Sequence, residues 1–329
     1  MSQTVTDREK RDAKAKLWSN HFGFLLNFTL LGLLVLLWLT LTFTTNVFLT
    51  DENIKNLMRQ ASLWAILAIG QTFVIIEAGI DLSMGSVVGL CSVIVAMLLT
   101  SGFSIWLSIV ITLLCGVLIG VINAFGITKL GLPPFIMTLA GLTSLRGVAL
   151  LITNGSPIAG LPLSFTAFSR SEFLRLPTLF WVVVGVAVPA YVLLHQTRWG
   201  RYIYATGSNP EAARLSGVNV NRTMYLAYVI SSVSAALVGI LVTSRLSIGI
   251  AMTGDSWELQ AIAASVIGGT SLFGAVGSVV GPLLGATLLS TISQGATLLN
   301  ISAFWQKVIT GVLIVVIVFL DQLRRRKRT

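Results

Sequence analysis

The fold is decided by residues 61–100, which read ASLWAILAIGQTFVIIE (61–77), AGIDLSM (78–84) and GSVVGLCSVIVAMLLT (85–100). The first and third stretches are predominantly apolar, and each approaches the roughly 20 residues that a helix needs to cross a bilayer. The stretch between them carries a glycine, a carboxylate and a serine, which are typical of a helix boundary. The pattern predicts two transmembrane helices separated by a short break.

The composition of the whole chain agrees with this reading. Of its 329 residues 55% are hydrophobic and only 10% are charged, and the mean hydropathy is +0.88. Soluble domains are about a quarter charged, so the composition places the chain among membrane proteins. The apolar stretches are continuous rather than alternating, which excludes a transmembrane β-barrel.

Ten predicted spans follow from the same length criterion. They are residues 22–44, 61–77, 85–100, 104–123, 133–152, 177–195, 223–243, 258–272, 279–298 and 304–320. The predicted fold class is therefore all-α, a polytopic membrane protein of about ten transmembrane helices. We divide the chain into an N-terminal tail at 1–21, a single transmembrane domain at 22–320 and a basic tail at 321–329.

The distribution of lysine and arginine predicts the orientation of the spans. With both termini cytoplasmic, fifteen basic residues fall in inner segments and five in outer loops, and basic residues favour the cytoplasmic side. Residues 196–222 then form the largest inner loop and residues 153–176 the longest outer loop. Much of the net charge of +10 lies in the tails that flank the spans, which favours membrane lipid over nucleic acid as a partner.

The sequence predicts neither a catalytic site nor a metal site. The phosphate-binding pattern G-x-x-x-x-G-K-[ST] needs a Gly-Lys pair, and none of the seven lysines follows a glycine. The histidines, His21 and His195, lie near helix ends. Cys91 and Cys115 lie inside apolar spans, where we expect them to pack as small hydrophobic residues. We therefore expect no cofactor and no disulfide in this chain.

The inner loop contains a short predicted helix with its own start and stop signals. Asn209 is a good N-cap and Pro210 suits the first turn. Glu211 complements the positive helix end, and Gly217 permits a left-handed exit. The candidate residues of this segment are Asn209, Pro210, Glu211, Ala212, Ala213, Arg214, Leu215 and Gly217.

This helix has the character of a docking element. We expect the small side chains of Ala212 and Ala213 to let it lie close in the groove of a partner, with Leu215 as the apolar anchor. An ordinary surface helix fits the residues equally well.

Five polar residues of the bundle are candidates for lining an aqueous pathway, namely Glu77, Asp81, Ser83, Arg146 and Asn154. Unwound backbone at membrane depth is stable only where it is buried in protein or lines a cavity. Asp81 most simply caps the third span, and a pathway role is compatible with capping. An arginine at the centre of a span costs about 2.5–3.5 kcal/mol. We favour a structural pairing for Arg146 and leave the role of Glu77 open.

Five motifs, in this order, resemble the ribose-type permeases of ATP-binding-cassette importers, a family that includes xylose, arabinose, rhamnose and autoinducer-2 permeases. The motifs are GIDLSMGS (79–86), LRG (145–147) with TNGSP (153–157), TRWGRY (197–202), NPEAARLSGVNV (209–220), and EL (258–259) with AIAASVIGGTSL (261–272). The resemblance covers roughly residues 45–323.

The resemblance implies a function and a set of partners. Two such subunits, identical or paralogous, form the translocation pathway for a monosaccharide or a similar small polar solute. A nucleotide-binding ATPase subunit holds ATP and Mg²⁺, and a periplasmic sugar-binding protein delivers the solute. The resemblance also implies that residues 209–218 form the coupling helix that docks into the ATPase, and that the chain is a multi-pass protein of a bacterial inner membrane.

Two departures from the family limit what is carried over. Gln260 stands where relatives often have an aspartate, so no acidic role is assigned to that position. Glu77 stands where relatives usually have an uncharged residue. The alternative function is an ion-coupled secondary transporter of a small polar solute, in which Asp81 at a broken helix would coordinate the ion.

Overall fold

A long buried helix, α2 (Asp51–Ile76), runs through the computed structural model, which describes residues 30–326. It begins before the predicted span at 61–77 because Asp51 lies in its first turn, where an acidic side chain favours the positive helix end. Lys55 pairs with Asp51 at 2.7 Å across one turn. Lys55 and Arg59, which we assigned to an outer loop, therefore belong to α2.

The described residues form thirteen helices and one short hairpin. In chain order these are α1 (Leu30–Thr44), α2, α3 (Met84–Thr100), α4 (Ile105–Thr128), α5 (Pro134–Thr153), α6 (Leu163–Phe168), β1 (Glu172–Phe173), β2 (Leu176–Pro177), α7 (Thr178–Gln196), α8 (Arg198–Ser208), α9 (Pro210–Leu215), α10 (Val220–Leu246), α11 (Trp257–Ile267), α12 (Val280–Leu298) and α13 (Ala303–Arg326). The strands pair antiparallel, with Glu172 opposite Pro177. The predicted tail at 1–21, the first part of the first predicted span and residues 327–329 lie outside the described residues.

Each of the ten stretches predicted as spans holds one of these helices. Five of them, α2, α4, α5, α7 and α10, are long and apolar enough to cross a membrane, and α1, α3 and α11 are apolar but shorter. The chain is thus a helical, multi-pass membrane protein. The clearest difference from prediction is α11, which ends at Ile267 after 11 residues, about 16 Å. Gly268 and Gly269 follow, and Gly269 has φ +93°, so 258–272 is not one continuous helix.

The centre of the bundle is built from α2 and α10. Helix α10 packs against α2, α3 and α4, while α11 and α12 pack on α2. The most apolar windows of α2 and α10 are 83% and 72% buried, whereas that of α5 is only 11% buried. Glycine allows α4 to approach α10 closely: a Cβ on Gly116 would lie 2.6 Å from the Ala236 Cβ. Helices α4, α5 and α7 leave much of their apolar surface facing outward.

Three connecting segments frame the candidate site, and their names are kept below. The helix break is residues 77–83, between α2 and α3. The coupling segment, named for the role predicted from the sequence, is residues 209–217, which contains α9. The inner turn is residues 268–279, between α11 and α12.

Candidate functional site

The helix break starts with an unusual helix end. Glu77 is the C-cap residue of α2, and Ala78 takes the left-handed conformation at φ +58°. The Ala78 amide donates to the Ile75 carbonyl at 2.9 Å. The Gly79 amide donates to the Val74 carbonyl at 3.0 Å, which completes a Schellman motif. Alanine occupies the position where glycine is usual, a strain of about 1–2 kcal/mol that the surrounding packing has to offset.

Asp81 is fully buried and organises the helix break. Its Oδ1 accepts hydrogen bonds from the amide (2.9 Å) and the hydroxyl (2.6 Å) of Ser83, and its Oδ2 accepts one from the Ser231 hydroxyl of α10 (2.6 Å). The Asn123 side chain of α4 donates to Ser83 Oγ at 2.9 Å. The Gln71 amide of α2, oriented to suit its partners, pairs with the Asp81 N–H and C=O at 3.1 and 3.2 Å. Three helices thus hold the break in place.

The structure corrects the capping role predicted for Asp81. The N-cap residue of α3 is Ser83, and its side chain caps no amide. Asp81 instead accepts the amide two residues ahead, as in an Asx turn. Thr138 of α5 donates to the Ile80 carbonyl at 3.0 Å, so this non-helical backbone is hydrogen-bonded inside the protein, as membrane depth requires. Asp81 and Ser83 are both fully buried, and their role in a pathway stays a prediction.

Glu77 lies in the same break without such partners. It is 5% exposed, and neither of its carboxylate oxygens has a hydrogen-bond partner within residues 30–326. Thr223 of α10 lies beside it, but the Thr223 hydroxyl donates to the Val220 carbonyl at 2.7 Å. The buried hydroxyl of Tyr228 is also without a partner in this part of the chain. The charge of Glu77 made it a candidate from sequence, whereas Tyr228 reads as an ordinary core residue.

Arg146 of α5 fastens the loop between α10 and α11 to α3. Its guanidinium donates to the Thr253 carbonyl at 2.9 Å and to the Ala251 carbonyl, both in that loop. It also donates to the Gly85 carbonyl of α3 at 3.0 Å. The two loop carbonyls belong to non-helical backbone, so the arginine pairs acceptors that would otherwise be buried unpaired. These contacts are those of the structural role favoured for Arg146.

The five predicted pathway residues do not form one cluster. Glu77, Asp81 and Ser83 share the helix break, while Arg146 binds the loop after α10. Asn154 ends α5 on an exposed surface in the left-handed conformation, at φ +48°. Polar residues that complete the break were missed, because single polar residues inside apolar spans carry no motif; they are Gln71, Asn123, Thr138, Tyr228 and Ser231.

The coupling segment forms a short helix from the local signals in its sequence. Asn209 Oδ1 accepts the amides of Glu211 and Ala212 at 3.0 Å each. Pro210 is the first helical residue. Gly217 takes φ +83° and donates its amide back into the last turn at 2.9 Å.

The surface of the coupling segment is divided. Leu215 is 90% exposed, and Glu211 pairs with Arg214 at 2.6 Å on the exposed side. Ala213 is buried against the rest of the chain, while Ala212 is exposed. The prediction that both alanines meet a partner is therefore wrong for Ala213, because α9 turns that side chain inward onto its own protein.

Hydrogen bonds connect the inner loop to the helix break through the inner turn. The Tyr204 hydroxyl of α8 donates to the Gly277 carbonyl at 2.7 Å. The Ala275 amide of the same turn donates to the Ile76 carbonyl, at the end of α2, at 2.8 Å. Burial raises the pKa of Tyr204 to about 12, so its hydroxyl keeps the donated proton at neutral pH. A displacement of α8 therefore acts on the residue that precedes Glu77.

These hydrogen bonds fix the position of the helix break relative to α8 and the inner turn. Within the described part of the chain, no group of three or more His, Cys, Asp or Glu side chains is placed to hold a metal ion. Cys91 of α3 and Cys115 of α4 are free thiols. The site is a hydrogen-bonded break inside a helical bundle, linked through residues 268–279 to α8, which directly precedes the exposed helix α9.

Comparisons with known proteins place this bundle in a family. The family described as branched-chain amino acid transport system / permease component matches residues 53–318. The chain is 41% identical over 294 residues to the ribose import permease protein of Bacillus subtilis (strain 168), covering 89% of this chain and 91% of the relative. It is 38% identical over 297 residues to the ribose import permease protein of Escherichia coli (strain K12), with coverages of 89% and 92%. It is 33% identical over 364 residues to the xylose transport system permease protein of the same strain, with coverages of 91% and 92%.

No solved structure matches the chain significantly. The family description names branched-chain amino acids, whereas these relatives are named for ribose and xylose. All of them are described as permeases. The resemblance to ribose-type permeases that the motifs indicated is thereby confirmed, and the chain belongs to the family of transport-system permease components.

Proposed function

We propose that the chain is the transmembrane permease subunit of an ATP-driven importer of a monosaccharide, with pentoses as the first candidates. The observation that carries the proposal is the 41% identity to a ribose import permease over 89% of the chain. ATP and Mg²⁺ belong to a separate nucleotide-binding ATPase subunit, and a periplasmic sugar-binding protein delivers the solute. A second permease subunit, identical or paralogous, completes the pathway beside the outward apolar faces of α4, α5 and α7.

Ten spans with both termini cytoplasmic, in the inner membrane of a bacterium, complete the proposal. It is supported by the helices that occupy all ten predicted stretches and by the fifteen-to-five distribution of basic residues. Residues 196–222, with α8 and α9, are then cytoplasmic. Residues 153–176, with α6 and most of the hairpin, are then periplasmic.

Thiol labelling of intact cells tests this topology. In a background without Cys91 and Cys115, we expect an impermeant maleimide to label Leu163→Cys in α6, whose native side chain is 85% exposed. The same reagent should leave Glu211→Cys unlabelled until the cells are opened. Labelling of Glu211→Cys from outside would overturn the topology.

The coupling segment is the proposed contact with the ATPase. Its support is the 90% exposure of Leu215 on a capped helix, together with the hydrogen bonds that lead from α8 through the inner turn to the end of α2. An apolar side chain held out on a rigid helix suits insertion into a groove of a partner.

Reconstitution tests the function directly. The chain, its ATPase subunit and its binding protein are placed in proteoliposomes, and uptake of radiolabelled ribose is measured. We expect uptake to require ATP and all of these components, and the chain alone to hydrolyse no ATP because it has no phosphate-binding loop. Uptake by the chain alone, driven by a sodium or proton gradient, would instead establish the ion-coupled transporter. Competition by excess leucine but not xylose would favour the amino-acid description of the family.

A further inference from the structure

Two buried carboxylates of the helix break have opposite surroundings. The oxygens of Asp81 accept three hydrogen bonds, which suits an ionised carboxylate. Glu77 is 5% exposed, and both of its oxygens lack a partner within the described chain. Buried polar groups are nearly always paired, and a buried charge with neither hydrogen bonds nor a counter-charge is strongly unfavourable. The surroundings of Glu77 therefore suit a neutral carboxylic acid.

The titratable groups around Glu77 reinforce this reading. The break itself contributes Asp81. Helix α10 contributes Tyr228, whose unpartnered hydroxyl lies against the backbone: a Cβ on Gly79 would be 2.6 Å from it. Helix α8 contributes Tyr204, whose hydroxyl donates to the inner turn. The sequence of the inner turn, GGTSLFGAVGSV, contains no titratable residue.

Among the described residues, the basic side chains of α8, of the start of α10 and of the end of α7 are exposed, the last being His195, whose ring lies 6.4 Å from that of Tyr204. The basic residues of α8 and of the start of α10 are Arg198, Arg201 and Arg222, and all three are exposed. Among the side chains that the structure describes, the ion pairs engage Asp51, Glu172, Glu211 and Asp255, and none reaches Glu77. A carboxyl group with acidic and phenolic neighbours and no ion pair among the described side chains favours retention of its proton.

Glu77 also sits where α2, α8 and the inner turn meet. Its neighbour Ile76 accepts the hydrogen bond from the inner turn, at 2.8 Å. Its neighbour Thr223 lies 3.1 Å from the Thr206 hydroxyl of α8. Gly207 of α8 packs so closely on the Ile76 carbonyl that a Cβ there would overlap it. Separation of α8 from α2 would therefore admit water to Glu77.

We propose that Glu77 is a proton-binding site: its carboxyl holds a proton while α8 is seated against the helix break, and releases it when this junction opens to water. The seated and open states correspond to steps of the transport cycle, so this part rests on the proposed function. The direction of the expected pH effect follows from ionisation of the carboxyl group in water. Higher pH favours the open junction because the exposed carboxyl ionises, and lower pH favours the seated junction.

Infrared spectroscopy of the purified chain in detergent tests proton occupancy without any transport activity. The difference spectrum between wild type and Glu77→Gln at neutral pH should show loss of one protonated-carboxyl C=O band, shifted in D₂O. The matched control is Glu211→Gln, which removes an exposed carboxylate paired with Arg214. It should lose only ionised-carboxylate bands. Ionised-carboxylate bands for Glu77 as well would overturn the proposal.

Dicyclohexylcarbodiimide gives a second readout that needs no variant. A protonated carboxyl adds across the carbodiimide, its proton passes to nitrogen, and rearrangement leaves a stable N-acylurea with no leaving group. Peptide mass spectrometry should find the adduct on Glu77 and none on the hydrogen-bonded Asp81 nearby. The yield should fall as the pH is raised. An adduct on Asp81 with none on Glu77 would contradict the proposal.

The reconstituted complex tests the link to movement. The ATPase rate of the wild-type complex should depend on pH more steeply than that of the complex with Glu77→Gln, because the amide cannot ionise. Equal pH dependence of the two complexes would show that protonation of Glu77 is not linked to the transport cycle. A complex that shows no ATP-dependent uptake at all would instead count against the proposed function, and the infrared result would stand by itself.

Discussion

The coupling segment connects α8 to α10 and the helix break connects α2 to α3, but the two segments are held by different kinds of contact. In the coupling segment, Asn209 caps residues two and three positions ahead, and Glu211 pairs three positions ahead. In the helix break, Asp81 bonds to Ser231, 150 positions away. Thr138 bonds to the Ile80 carbonyl across 58 positions. One segment is specified locally and exposed, and the other is assembled from distant helices and buried.

Because their contacts differ, the two segments should respond differently to substitution. A buried network fails when one partner is removed, because the remaining polar groups lose both protein and water as partners. An exposed, locally specified helix keeps its place in the chain when its surface changes, so its substitutions show in partner binding. The substitutions that follow test this division, beginning with the one expected to lower stability most.

Asp81→Ala should destabilise the chain most. It leaves the Ser83 amide and the hydroxyls of Ser83 and Ser231 without their acceptor, and hydrogen bonds to a charged group are worth about 1.5–3 kcal/mol each. We expect poor accumulation in the membrane and a clearly lower unfolding temperature in detergent. The control is Asp51→Ala, whose side chain is 82% exposed and whose loss should change stability by about 0.5 kcal/mol or less. Equal unfolding temperatures of the two variants would show that the buried network around Asp81 is no more sensitive than an exposed side chain.

Arg146→Met should come next. It unpairs the loop carbonyls of Ala251 and Thr253 and removes the hydrogen bond to Gly85 of α3, and a buried acceptor left unpaired costs about 1–3 kcal/mol. Arg146→Lys should lose less than Arg146→Met because its ammonium still donates, but it should stay below wild type because an ammonium reaches fewer carbonyls than a planar guanidinium. Unfolding temperature and protease sensitivity of the loop after α10 measure the effect. A lysine variant as damaged as the methionine variant would show that the site requires the guanidinium geometry and that a positive charge alone is not sufficient.

The same division separates the features that could be predicted from the sequence from those that could not. The cap at Asn209 and the exit at Gly217 could be predicted because their signals lie within a few residues. The partners of Arg146 could not, because backbone carbonyls carry no sequence signal. The inward turn of Ala213 was missed because a helix of six residues shows no apolar period. The early start of α2 was missed because a charged first turn resembles a loop.

Gly217→Val and Glu211→Lys should impair transport with little effect on the amount of protein. Valine at a left-handed position costs about 1–3 kcal/mol. The lysine removes the pair with Arg214 and places a positive charge at the positive helix end, a loss of about 0.3–1 kcal/mol. Uptake and binding-protein stimulation of the ATPase should both fall.

The control for this pair is Asn300→Gly in the loop before α13. Asn300 has φ +57°, so glycine fits that backbone without strain. Its uptake should match wild type. If Gly217→Val and Glu211→Lys also match wild type, the coupling segment does not couple.

Leu215→Ser should have the smallest effect on the chain itself. The native side chain is 90% exposed, so the unfolding free energy of the isolated chain should change by about 0.5 kcal/mol or less. Affinity for the ATPase subunit should nevertheless fall, because burying a leucine on docking contributes about 1.5–3 kcal/mol. Titration of the ATPase onto chain-containing nanodiscs measures this. Unchanged affinity would mean that Leu215 stays exposed in the complex.

Site-specific cross-linking tests the central claim, that this permease is driven through its coupling segment by a separate ATPase. A photoreactive maleimide is attached to Leu215→Cys in the assembled complex, in a background without Cys91 and Cys115. We expect a cross-link to the ATPase subunit from this position and none from Leu163→Cys in α6. A cross-link to the ATPase from α6 alone, with none from position 215, would contradict it.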